Sequence, residues 1–151
     1  MRQRLVMLAA TLSLASLAFP AYAHHSHPFF YDECKTITIE GRVESVDFKE
    51  PHTQLVLKLD DGTAYTVDWA PLGRLTKDGS IGPAKEALAF GARVVVTGNR
   101  IRPAAQIRER FANFNGEVNP NTVDPISIRR LDDSFSWALP PRRTPLNCDR
   151  K

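Results

Sequence analysis

The chain has 151 residues, 42% of them hydrophobic and 25% charged, with 20 basic and 17 acidic side chains for a formal net charge of +3. That size suits one domain with a genuine core. The near-even, unsegregated charge argues against an acidic or basic tail protein and against a nucleic-acid-binding domain.

Arg2 and Arg4 open the chain, Leu5 to Phe19 is an apolar run, and Ala21-Tyr22-Ala23 is a small-x-small site. This three-part layout is that of a secretory signal peptide. The apolar run falls short of the ~20 residues of a spanning helix. Removal of 23 residues from 151 leaves 128, and the loss of two arginines lowers the charge from +3 to +1. The expected location is the periplasm, with no transmembrane segment after cleavage. The expected divisions are 1–23 as signal peptide, 24–133 as barrel domain and 134–151 as an irregular tail.

The mature start, His24-His25-Ser26-His27, carries three of the four histidines. Phe29, Phe30 and Tyr31 follow, and this aromatic cluster is expected to pack onto the domain. Thr36–Phe48 reads as the first strand. Ile37, Ile39 and Val43 share one parity and Val46 and Phe48 the other, which predicts a bulge near Glu44-Ser45. Gly41 suits a tight bend. The turn Lys49-Glu50-Pro51-His52 leads to a second strand, Thr53–Asp60, with Leu55, Leu57 and Leu59 on one face. Asp61-Gly62 is a hairpin turn. The third strand, Thr63–Ala70, places Tyr65, Val67 and Trp69 opposite Asp68.

Pro71 ends that strand, and a short helix is expected at Ala84–Leu88. Arg93–Ile101 is the fourth strand. Ile107, Phe111 and Phe114 recur at helical spacing, so a helix is expected over Ala104–Asn113. The loop to Pro125 reads as a lid, an edge cover or a packing insertion. Pro125–Leu131 is the fifth strand. After Asp133 only Trp137 and Cys148 are expected as anchors. The predicted fold is mainly β: a five-stranded OB-like Greek-key barrel with a short connecting helix and a helical insertion before the last strand.

Cys34 and Cys148 are the only cysteines. An even count in an exported chain favours a disulfide, and the long loop it closes allows up to ~4–5 kcal/mol of stabilisation in the chain-entropy model. Their wide separation excludes a CxxC redox pair.

Several short motifs stand together: His24-His25-Ser26, Gly41-Arg42-Val43, Glu50-Pro51-His52, Tyr65-Thr66-Val67-Asp68, Leu75, Leu88 and the Gly-x-x-Val-x-Val-x-Gly run of Gly91–Gly98. In these the chain resembles domain of unknown function family 6152, short exported bacterial proteins, over roughly His24 to Arg102. Glu50 stands where that family usually has Asn and Asp68 where it has Glu, and the two cysteines are not a family feature. The resemblance implies an OB-like fold and a periplasmic setting, and no activity.

His24, His25, His27 and His52 are all the histidines, and three or four converging imidazoles suit Cu(II) or Zn(II). Cleavage after Ala23 would give His24 a free α-amine, which together with its imidazole chelates Cu(II). Asp68 is a candidate oxygen ligand or orienting partner. The other reading of the histidines is a solvated polar terminus. Ser26 lacks a strained turn and a third triad member, and no phosphate loop occurs, so an enzyme is not expected. Two functions follow: a periplasmic binding module holding copper or zinc, or a metal-independent protein- or glycan-interaction module of the cell envelope. Nucleic acid is not an expected partner.

Overall fold

The computed structural model describes residues 27–141, 146 and 148. The expected signal peptide, with His24 and His25, lies outside the described residues. Those residues form six strands and four short helices: α1 (His27–Phe30), β1 (Tyr31–Asp47), β2 (Gln54–Lys58), β3 (Ala64–Asp68), α2 (Leu72–Lys77), α3 (Ile81–Ala87), β4 (Arg93–Ile101), α4 (Ala104–Arg110), β5 (Thr122–Arg130) and β6 (Ser136–Ala138). No helix among them is long and apolar enough to cross a membrane.

The strand order is β3-β2-β1-β4-β5-β6, and β3 also pairs with β5. That pairing, parallel at Thr66↔Thr122 and Val67↔Val123, joins the two ends of the ring β1-β2-β3-β5-β4; every other pairing is antiparallel. β1 can serve two neighbours because it is long and bent. Tyr31 to Arg42 pairs with β4, and Arg42 to Asp47 pairs with β2. The bend falls where the parity switch predicts it, with the register shifting between Val43 and Ser45. A β-carbon on Gly41 would lie 2.9 Å from the Lys58 carbonyl oxygen, so glycine lets β1 and β2 approach there.

Alternation fills the interior. Ile39 and Val43, Leu55 and Leu57, Val67 and Trp69, and Val94 and Val96 are buried together. α2 and α3 contribute Leu75, Ala84 and Ala87 to the same core. Pro125 sits in β5 opposite Gly98, where the ladder shifts register, so its missing N–H costs no regular bond.

Four expectations are corrected. β1 begins five residues before Thr36, because Tyr31 and Asp32 pair with Ile101 and Arg100 across a second irregularity. Cys34 therefore lies within β1. The connector holds two helices, separated at Gly79 (φ 77°), where one was expected. The helix of the insertion stops at Arg110; Ile107 is buried but Phe111 is exposed, so the helical spacing does not mark one buried face. The stretch after Asp133 is not irregular throughout. Phe135 and Trp137 alternate into the core and carry β6 onto β5, with Trp137 opposite Ile128. Cys34 and Cys148 form the expected disulfide.

Candidate functional site

The turn after β1 delivers His52 to the start of β2. Backbone bonds from Thr53 N to the Ala70 carbonyl (3.2 Å) and from Trp69 N to the Thr53 carbonyl (2.8 Å) extend the β2–β3 ladder past its end. The turn is also held from outside, since Gly73 N donates to Glu50 Oε1 at 2.7 Å. His52 is thereby set beside Trp69, and its Nδ1 lies 3.2 Å from the Trp69 carbonyl oxygen. A carbonyl oxygen only accepts, so in this bond Nδ1 is the donor.

His27 arrives from the other side. The Phe30 carbonyl accepts from Arg102 N at 2.7 Å, which ties α1 to the end of β4. His27 Nδ1 donates to Asp124 Oδ2 at 2.9 Å. Asp124 is buried in β5 beside Asn99 of β4, which is also buried. The bond to Asp124 raises the His27 pKa above the ordinary 6.5; burial and the Arg74 charge oppose this, while the charges of Asp124 and Glu33 add to it. The His27 and His52 rings stand edge to face with centroids 6.0 Å apart.

Asp68 anchors the floor. Tyr31 donates its hydroxyl to Asp68 Oδ2 at 2.7 Å, and Gln54 donates its side-chain amide to Oδ1 at 3.0 Å. Burial pushes the Tyr31 phenol far up, and the charge and hydrogen bond of Asp68 push the same way, so Tyr31 remains a donor. Tyr31 also lies 6.1 Å from the His27 ring.

Of the five sequence-chosen ligands, His27, His52 and Asp68 gather around Tyr31 and Trp69, while His24 and His25 lie outside the described residues. Among the described residues no three His, Cys, Asp or Glu side chains are grouped to hold a metal ion. Sequence reasoning missed Tyr31, Gln54 and above all Asp124. The one available signal for Asp124 is an acid set between Val123 and Pro125 at a strand start. A cleft of about 440 Å³ opens beside His27 and Asp124, walled by Pro71, Ile126, Trp137 and Leu139.

No curated protein matches the chain. It is similar to a chain of the S. pombe Stn1–Ten1 complex at 18% identity and a TM-score of 0.44, over 65% of this chain and 59% of that one. A family model spans the first two thirds of the sequence, covering His52, Asp68 and the whole of β1 to β4. That match, over residues 10–107, makes the chain a member of the Family of unknown function (DUF6152).

Proposed function

We propose that the protein is an exported periplasmic binding module, a five-stranded OB-like Greek-key barrel, that holds one Cu(II) or Zn(II) ion through its N-terminal histidines and His52. The ring order β1-β2-β3-β5-β4 supports the barrel reading. The disulfide is compatible with export. The observation that carries the metal reading is the His27–His52 pair. Metal–nitrogen bonds are about 2 Å long, so two imidazoles on one ion have centroids within about 6 Å of each other. The observed 6.0 Å lies at that limit. Each Nδ1 is bonded to an oxygen acceptor, the arrangement that orients histidine ligands through the far nitrogen. Asp68, engaged by Tyr31 and Gln54, serves as an orienting group. His24 and His25 supply the remaining nitrogens, and Cu(II) leads over Zn(II) on that nitrogen-rich set. The role is binding, not catalysis.

The test is calorimetric titration of the exported protein, its mature mass confirmed, with Cu(II) and with Zn(II). One-to-one sub-micromolar binding, weakened about tenfold or more in both His27→Ala and His52→Ala, is the expected result (about 1.4 kcal/mol per tenfold). Binding that ignores both substitutions would reduce the histidines to a terminal chelator.

A second reading, a metal-independent protein- or glycan-interaction module of the envelope, is favoured by Phe29, Phe90 and Phe111, which are 45%, 86% and 46% exposed. Retention of metal-free protein on envelope extract, lost in Phe111→Ala, would select it.

A further inference from the structure

Away from the histidines, a second cleft of about 410 Å³ lies where β4 runs into α4. Lys35, Arg100 and Arg102 line it, with Asp32 as the one acid in its lining. Its walls are apolar, from Ile101, Pro103, Val118 and Pro120. The cations are placed by the irregularity in β1. Between Asp32 and Thr36 the β1–β4 register breaks, so Lys35 leaves the ladder beside Arg100. The Cys34–Cys148 bond anchors that same excursion.

The charges in this cleft do not balance. Asp32 Oδ2 is 3.6 Å from Lys35 Nζ and 3.4 Å from Arg102 Nη1, and it is the one carboxylate in a lining that also holds Arg100. The Arg102 side chain is only 14% exposed, and its Nε–H is buried with no hydrogen-bond acceptor among the described residues. A buried guanidinium donor without an acceptor is costly unless something supplies one. An oxyanion in the cleft offsets the excess of cations, and the planar fork of arginine matches phosphate geometry.

We propose that this cleft is a binding site for a phosphate group attached to a partly apolar body, held by Arg102, Arg100 and Lys35. Asp32 sets the Arg102 side chain, and the proline-lined walls cover the body of the ligand. No histidine takes part in the lining, so the proposal does not rest on a metal being bound. One chemistry has two sources, a soluble phosphate ester and the headgroup of an anionic phospholipid.

The experiment follows the Arg102 Nε–H resonance by nitrogen-edited NMR in the mature, oxidised protein. Inorganic phosphate is titrated at constant ionic strength, with chloride as control. A saturable shift with phosphate and none with chloride is expected. Arg100→Gln and Lys35→Gln, both exposed residues of the lining, are expected to weaken it about tenfold or more, a usual consequence of losing a charge-assisted bond. Sedimentation with phosphatidylglycerol or phosphatidylcholine vesicles then assigns the source. Binding to the anionic vesicles alone, lost in both variants, means a lipid headgroup. Phosphate saturation without vesicle binding means a soluble ester. The proposal is overturned if the resonance responds equally to chloride, or if neither phosphate nor vesicle binding depends on Arg100 and Lys35.

Discussion

Asp124 does more for the candidate site than any residue chosen from sequence. It is the main cause of the raised His27 pKa. Because the folded value lies above the ordinary 6.5, the His27–Asp124 pair stabilises the fold fully below that value. Its contribution is lost as pH rises through the folded pKa. Asp124→Asn is therefore expected to return the His27 pKa towards 6.5, read by NMR titration of the ring. The variant should also be destabilised more at about pH 5.5 than at about pH 8.5 in urea melts. The same proton competes with a metal at Nε2, so the pH needed for metal loading should fall in this variant. Tyr31 acts differently. Its hydroxyl is bonded to Asp68 and buried, so Tyr31→Phe should cost about 1–2 kcal/mol at all pH values near neutrality.

At the scale of elements, β6, the last strand among the described residues, shows how little sequence a strand needs. β6 is three residues long, yet Trp137 meets Trp69 edge to face at 5.3 Å, and Leu139 N bonds the Ile126 carbonyl at 2.8 Å. Trp137→Ala is expected to lower the unfolding free energy by about 3–5 kcal/mol, the usual cost of emptying a buried tryptophan site. The contact between β4 and β5 is as demanding in the opposite sense. A β-carbon on Gly98 would overlap the Asp124 carbonyl and the Val123 side chain. Gly98→Ala should cost about 1–3 kcal/mol through that overlap and shift Asp124, which couples this strand contact to His27.

Over the whole molecule, the disulfide joins residues 114 apart in sequence and ties β1 to the end of the chain. Its loss removes a constraint on the unfolded state, so Cys34→Ser with Cys148→Ser should lower stability by about 2–5 kcal/mol, read by chemical denaturation. The ring and its core need no disulfide to define them, so the far-ultraviolet spectrum of the variant should match that of the oxidised protein. The two candidate sites lie on different clefts, one beside β5 and α2 and the other beside β4 and α4. Neighbouring residues of the same two strands line both, Glu33, Thr36 and Asn99 in the first and Asp32, Lys35 and Arg100 in the second, so a substitution in one is expected to be felt in the other.

Periodicity, turn chemistry and cysteine count by themselves determined much of this protein. They placed the bodies of β1 to β5, though not the early starts of β1 at Tyr31 and β5 at Thr122, and the bend after Val43, the Asp61-Gly62 turn and the Cys34–Cys148 pairing. Each is a local consequence of alternation, of glycine's freedom at φ 85° in Gly62, or of pairing the only two thiols. Only the tertiary structure decided what His27 touches, because Asp124 lies 97 residues away and no local pattern links them. It likewise decided β6, whose three residues are too few to show a period, and the cluster of Lys35, Arg100 and Arg102. Those cations look dispersed along the chain. They meet because β1 and β4 are neighbours in the sheet and β1 breaks register beside Arg100, a placement set by strand pairing over long sequence distances.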